Sequence, residues 1–164
     1  MPGARAAWVT CADASLVAQM AKLQSCGSGN ASTIAQVGLD AALTHCMSDH
    51  AVLGGVHAYY AERTRLVAEG LNALACKHGL PAAVCAVPEA TFYVWADLSA
   101  LPRVGSDTAI FRRLLELGLA VIPGSAFSMP PERKLIRISC AQDSLAALRR
   151  ALACLDQAMG EWAA

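Results

Sequence analysis

The sequence has little charge and no concentration of charge of either sign. Only 16% of its 164 residues are charged, and 13 basic residues balance 13 acidic ones, so the formal net charge is zero. No run of lysine and arginine occurs. Because nucleic-acid binding needs a concentrated cationic face, we expect no nucleic-acid partner.

Signatures of metal binding and of membrane insertion are also missing. The seven cysteines contain no C-x-x-C, and no group of cysteines and histidines has zinc-ligand spacing. The N-terminus has no charged region followed by an apolar one, and no apolar stretch reaches the roughly 18 residues of a membrane-spanning helix. We therefore expect no metal site, no membrane span, and free, partly buried thiols in a reducing compartment, the cytoplasm.

Apolar residues are plentiful, at 55% of the chain. At this length the chain forms either one ordinary domain or a small domain with a remnant of another. The apolar excess is high for a free-standing domain. It fits a surface that further chain or a second subunit should cover.

Apolar spacing, with a capping residue ahead of each segment, predicts three helices in the first half. They are 14–24 after Asp13 or Ser15, 33–47 after Ser32, and 51–77 after Asp49. The third ends at His78-Gly79, because glycine suits the left-handed position after a helix. Its outer face carries Glu62, Arg63, Arg65 and Glu69, and its core-facing positions are Val52, Val56, Tyr59, Leu66, Leu71 and Leu74.

From Leu80 the pattern changes to strands and short helices. Residues 91–98 alternate as a strand, and a helix runs from Ser106 to about Leu117, with Ile110, Phe111, Leu114 and Leu115 inward. The last helix, opened by Gln142 or Asp143, has an apolar seam of Leu145, Leu148, Leu152, Leu155 and Met159. Strands interleaved with two amphipathic helices predict an α+β layer domain.

The second half is organised around residues 119–140, LAVIPGSAFSMPPERKLIRISC. This stretch predicts a buried strand, a turn at Pro123-Gly124, an irregular loop, and a second strand that carries Arg137. An arginine on an apolar strand needs an anion to offset its desolvation, and its planar fork suits a carboxylate or a phosphate. The alternative is a structural arginine paired with an aspartate or glutamate of the protein. The spacing alone leaves both open.

These motifs resemble the C-terminal domain of fold-type-I pyridoxal-phosphate aminotransferases, the aspartate aminotransferase family. PGSAF is followed, after a short loop, by IRISCA. Further landmarks come in the family's order: ASTIAQ at 31–36, ATFYVWADLS at 90–99 and FRRLLELGLAVIPGSAF at 111–127. Ala90-Thr91 stands where Gly-Ala or Gly-Thr is usual. The resemblance covers nearly the whole chain.

The resemblance implies an α+β unit of the α/β family fold, in three parts. Residues 1–50 are expected to be a remnant of the large PLP-binding domain, 51–79 the long linking helix, and 80–164 the C-terminal small domain. The implied reaction transfers an amino group between an L-amino acid, of aspartate or aromatic type, and a 2-oxo acid. The implied cofactor is pyridoxal 5'-phosphate, and the full-length parent is expected to be a homodimer.

The resemblance also assigns roles to two arginines. Arg137 is expected to bind the substrate α-carboxylate and Arg5 the cofactor phosphate; without the resemblance, Arg5 is a solvated residue near a chain terminus. The opening MPGARAAW resembles the segment just after the family's Schiff-base lysine, and Lys22, Lys77 and Lys134 lie outside that motif. We therefore expect a C-terminal fragment with no catalytic lysine, inactive alone. The alternatives are a non-catalytic ligand- or protein-binding module and a PLP-dependent lyase or synthase of the same fold.

Overall fold

The structure, a computed structural model, describes residues 2–81, 83–141 and 144–163. The chain divides into two compact units, Met1–Gly54 and Gly55–Ala164. Within the described ranges, no helix has the length and apolar character needed to cross a bilayer.

The first unit is built on two capped helices. Helix α1 spans Ala14–Gly27, and the Asp13 carboxylate accepts the N–H groups of Ser15 at 2.8 Å and Leu16 at 3.2 Å. Helix α2 spans Thr33–Ser48 after Ser32, whose hydroxyl accepts the N–H of Ala35. Both predicted helices are confirmed, although α1 ends at Gly27 instead of at residue 24.

The first unit buries almost none of its apolar side chains. Among its described residues only Ala35 is buried, whereas Ile34 is 86% exposed. The exposed apolar side chains are Trp8, Val9, Leu16, Val17, Met20, Leu23, Ile34, Val37, Leu43, Met47 and Leu53. The apolar excess seen in the composition is therefore concentrated on this unit's surface.

Helix α3 spans Ala51–Lys77, as predicted. The Asp49 carboxylate accepts the N–H of Ala51 at 3.0 Å. At the other end Gly79 takes a left-handed conformation, with φ of 73°, and the N–H of Leu80 reaches back to the carbonyl of Ala75. These are the contacts that satisfy the free groups at helix ends.

Only the C-terminal half of α3 faces a core. Leu71 is fully buried, and Leu66 and Leu74 pack partly buried against the same cluster. Val56 and Tyr59 are exposed, contrary to the prediction, and the side chain of Val52 lies outside the described residues. The spacing is that of an amphipathic helix, but the second unit's core extends only along the later turns.

Arg63 is the second exception on α3. It was predicted on the outer face but is buried, with its guanidinium carbon 3.3 Å from the centroid of the Tyr59 ring. Its guanidinium also donates to the Tyr59 carbonyl at 3.1 Å and lies 3.6 Å from the Glu62 carboxylate, so stacking, a hydrogen bond and an ion pair together offset its loss of hydration. The prediction from residue type alone therefore placed Arg63 on the wrong face of α3.

The second unit contains an antiparallel sheet of three strands in the order β1-β3-β2, with β1 at Tyr93–Asp97, β2 at Ile122–Pro123 and β3 at Leu135–Ser139. One face of the sheet joins the core through Val94, Ala96, Ile136 and Ile138. The opposite face carries Arg137 of the central strand. The α+β fold class is confirmed.

Helices α4, at Asp107–Glu116, and α5, at Leu145–Ala163, complete the second unit. Ser106 caps α4 as predicted, but Leu115, predicted inward, is exposed. Gln142 and Asp143 lie outside the described residues, and the Ser144 hydroxyl accepts the N–H of Ala147 at the start of α5. All members of the predicted α5 seam are buried or pack partly buried against the core.

Asp156 ties α5 to the end of α3. Its carboxylate accepts two hydrogen bonds from Lys77 Nζ, at 2.6 and 2.8 Å, and lies 2.7 Å from His78 Nε2. The hydrogen bond from Lys77, followed by that from His78, lowers the pKa of Asp156 below the usual value of 3.8. The ionised form is therefore favoured in the folded state.

Replacing Asp156 with asparagine is expected to remove an acid-dependent part of stability. Because the folded-state pKa is lowered, the contribution is fully present above the unfolded-state pKa, near pH 4, and is lost as pH falls through the folded-state value. Urea unfolding of wild type and Asp156→Asn between pH 7 and pH 2 measures this. The difference between the two proteins should be constant down to about pH 4 and shrink below it; a difference that grows on acidification contradicts the assignment.

Candidate carboxylate-binding site

The candidate site lies on the exposed face of the sheet, around Arg137. On the central strand β3, Arg137 pairs in register with Trp95 of β1 and Ile122 of β2. Both neighbours are exposed, at 38% and 39%. Arg137 is therefore flanked on the sheet by apolar side chains that are open to solvent.

Aromatic rings contact the Arg137 guanidinium. Its central carbon lies 4.1 Å from the centroid of the Tyr93 ring and 4.7 Å from that of Phe127. The Phe127 ring in turn meets Trp95 edge to face, with centroids 5.6 Å apart. These cation–π contacts restrict the orientation of the guanidinium. They leave the edge of its plane, where the N–H groups lie, open to a hydrogen-bond acceptor.

Arg137 lacks an acceptor for one of its own hydrogen-bond donors. Its Nε is buried and has no hydrogen-bond partner among the residues that the structure describes. None of the ion pairs formed by the described residues includes Arg137. Asp97, on the same face, accepts the N–H of Ser99 and lies 3.7 Å from Arg133. In the described part of the chain, the structure therefore does not contain the internal ion pair that the sequence left as an alternative.

The segment before Arg137 is more regular than the irregular loop that was predicted. It contains two 3₁₀ turns, Gly124–Phe127 and Pro131–Arg133. The strand ahead of them was expected to be buried, but Ile122 of the two-residue strand β2 is exposed. A Cβ at Gly124 would lie 2.7 Å from Leu135 Cβ and 3.2 Å from the Leu135 carbonyl oxygen. Glycine is needed there because the turn packs directly on β3.

Arg5, the predicted phosphate ligand, lies in the first unit. It is exposed, with a φ of 50°, and forms no ion pair with the described residues. It lines a cavity of about 630 Å³ together with α1 residues and the polar side chains of Ser28 and Asn30. Its role toward a phosphate stays a prediction.

The three lysines have no common site. Lys22 is exposed on α1, and Lys77 binds Asp156. Lys134 Nζ donates to the carbonyls of Ser99 at 3.2 Å and Leu101 at 2.6 Å. Two of the three lysines are thus engaged in structural contacts, and none pairs with Arg137 across the sheet.

An aromatic row that extends the site was not predicted. Tyr59, Tyr60, Phe92 and Tyr93 follow one another with ring centroids 5.2, 5.3 and 4.5 Å apart. Phe92 is half-buried within this row. The row includes all three tyrosines of a chain that is only 5% aromatic. The adjacent aromatic pairs Tyr59-Tyr60 and Phe92-Tyr93 were the available signal in the sequence.

Comparison with known proteins bears on this site. No protein-family model matches the chain. The aspartate/prephenate aminotransferase of Thermus thermophilus is 32% identical over 118 residues, covering 72% of this chain and 28% of that protein. A solved mutant of the Thermus thermophilus aspartate aminotransferase aligns with a TM-score of 0.64 at 29% identity, over 87% of this chain and 36% of its own.

A second solved structure gives the same result. The aromatic aminotransferase of Pyrococcus horikoshii aligns with a TM-score of 0.64 at 26% identity, over 92% of this chain and 38% of that one. The chain thus spans between 28% and 38% of the length of these three proteins. These matches confirm the resemblance drawn from the motifs: in sequence and in fold, the chain is similar to part of the aspartate and aromatic aminotransferases of fold type I.

Proposed function

We propose that the chain is the C-terminal part of a pyridoxal-phosphate-dependent aminotransferase, in which Arg137 binds the α-carboxylate of the substrate. The substrates are an L-amino acid, of aspartate or aromatic type, and a 2-oxo acid. The observation that carries the proposal is the Arg137 guanidinium, which lies on an exposed aromatic face and has no ion-pair partner among the described residues.

Arg137 acts in this proposal by fixing the substrate's orientation. A guanidinium can donate two parallel hydrogen bonds to a carboxylate, which sets both the position and the plane of that group. Because Tyr93 and Phe127 hold the guanidinium, the carboxylate meets a preset donor edge. A fixed carboxylate in turn fixes the bonds at the adjacent carbon, which is the prerequisite for reaction there.

The residues of the first unit fit the phosphate of the cofactor. Arg5 offers a cationic fork without an acidic partner among the described residues, and Ser28 and Asn30 add polar side chains to the same cavity. Such donors suit a phosphate group. Bound pyridoxal 5'-phosphate supplies the electron sink for the reacting carbon.

The chain does not contain the whole of the proposed chemistry. Lys77 and Lys134 are held by structural contacts, and Lys22 lies exposed on α1. We propose that the cofactor lysine belongs to the remaining length seen in the relatives, and that the chain alone is inactive. The whole protein is proposed to be a cytoplasmic homodimer.

Absorption spectroscopy with added pyridoxal 5'-phosphate tests the missing lysine. Borohydride reduction followed by peptide mapping should find no lysine modified at a single defined site, and the spectrum should not change on adding aspartate or tyrosine. A single modified lysine, with amino transfer to the cofactor, contradicts the proposed incompleteness. Lys22→Arg, Lys77→Arg and Lys134→Arg then identify which lysine reacted.

A further inference from the structure

Asp107, the first residue of α4, is a completely buried carboxylate, with 0% exposure. It forms no ion pair with the described residues. A carboxylate removed from water without a cation is costly unless hydrogen bonds offset the loss of hydration. The contacts of the Asp107 carboxylate therefore indicate the role of this residue.

Two hydrogen bonds and a helix end surround the Asp107 carboxylate. One oxygen accepts the backbone N–H of Ser125 at 2.6 Å, and the other accepts the hydroxyl of Thr108 at 3.2 Å. The N-terminus of α4 adds a favourable partial positive charge. Of these contacts, only the bond to Ser125 links α4 to a distant part of the chain.

Ser125 belongs to the 3₁₀ turn that carries Phe127. The turn is thus held from two sides: Asp107 binds its backbone from α4, and Gly124 packs directly on Leu135 of β3. Phe127 ends the turn, and its ring contacts both Arg137 and Trp95. The position of the turn therefore sets the position of this ring beside the guanidinium.

We propose that Asp107 is a positioning residue for carboxylate binding. By accepting the Ser125 N–H it fixes the turn Gly124–Phe127, and through Phe127 it fixes the orientation of Arg137. The inference rests on the proposed function of Arg137. The role requires an acceptor atom rather than a charge, so an asparagine at this position should replace the aspartate.

Three variants of the full chain separate positioning from stability. Asp107→Ala removes the acceptor, and Asp107→Asn keeps one. Ser106→Ala is the matched control: it removes the cap of the same helix, the bond to the N–H of Ala109, without touching Ser125. Each is measured for thermal unfolding, for affinity to 3-phenylpropionate by calorimetry, and for the Trp95 indole N–H resonance, assigned with Trp95→Phe.

Asp107→Ala is expected to weaken binding of 3-phenylpropionate about tenfold, the effect of losing one buried hydrogen bond. It should also move the Trp95 resonance, because the Phe127 ring that packs on Trp95 shifts. Asp107→Asn should have the wild-type affinity for 3-phenylpropionate and the wild-type Trp95 resonance. Ser106→Ala should lower the unfolding temperature but change neither the affinity nor the Trp95 resonance. If Asp107→Ala does not fold, Asp107→Leu, which fills the space without an acceptor, takes its place.

The inference is wrong if Asp107→Ala keeps wild-type affinity and an unmoved Trp95 resonance, or if Ser106→Ala loses as much affinity as Asp107→Ala. Its failure is distinguishable from that of the proposed function. If the wild-type chain does not bind 3-phenylpropionate, the proposed role of Arg137 falls, and the link from Asp107 to carboxylate binding falls with it. The Trp95 resonance then decides whether Asp107 still fixes the turn.

Discussion

Replacing Arg137 with methionine is expected to abolish measurable carboxylate binding while the fold survives. Methionine keeps an apolar stem against Tyr93 and Phe127 but removes the donors. Two charge-assisted hydrogen bonds contribute enough for their loss to weaken binding of 3-phenylpropionate about a hundredfold or more. Since Arg137 has no acidic partner among the described residues, its removal strands no charge, and the free energy of unfolding should change by only about 1 kcal/mol or less.

Two further variants make the Arg137 result interpretable. Arg137→Lys keeps the charge but loses the planar fork, so its affinity should fall between those of wild type and Arg137→Met. Arg133→Gln removes an exposed arginine of the preceding turn, which contacts Asp97 at only 3.7 Å, and should bind like wild type. Calorimetric titration with 3-phenylpropionate and with succinate measures all four proteins. Equal affinity of wild type and Arg137→Met rules out the proposed role.

Asn72 is the second position where a large effect is expected, on stability. Its side-chain oxygen accepts the N–H groups of Val84 at 2.9 Å and Cys85 at 3.2 Å, and its nitrogen donates to the Cys85 carbonyl at 2.9 Å. This one side chain therefore holds the segment after α3, whose Val84 carbonyl accepts the N–H of Asp97 at the end of β1.

Asn72→Ala should lower the free energy of unfolding by about 3 kcal/mol, because it leaves several partly buried backbone groups without partners. Urea unfolding followed by circular dichroism measures the change. The control is Glu69→Ala, an exposed position on the same helix, expected to shift stability by less than about 0.5 kcal/mol. Equal stability of the two variants means that the segment is held by something other than Asn72.

Helix boundaries were predictable because their chemistry is local. Asp13, Ser32, Asp49 and Ser106 each cap the helix that the sequence assigns to them. A cap needs only its own side chain and the next backbone N–H groups, so a few consecutive letters contain the whole interaction. The strand that carries Arg137 was predictable in the same way, from the local alternation of its residues.

Features that depend on distant neighbours were not predictable from spacing. Val56 and Tyr59 have core-facing spacing on α3, but the core does not extend to them, and Arg63 is buried by stacking on Tyr59. Asp107 was missed for the same reason. An acidic residue in the first turn of a helix is common and usually exposed, and only the bond to Ser125 reveals its different role.

The most direct test of carboxylate binding by Arg137 follows the Nε–H of this side chain. Its resonance, assigned in a ¹H–¹⁵N spectrum by its absence from Arg137→Met, is recorded while 3-phenylpropionate is added. We expect a saturable shift of this resonance, together with that of the Trp95 indole, at the affinity found by calorimetry. If 3-phenylpropionate binds while the Arg137 resonance stays fixed, the proposed role of Arg137 is wrong, because the carboxylate is then held elsewhere.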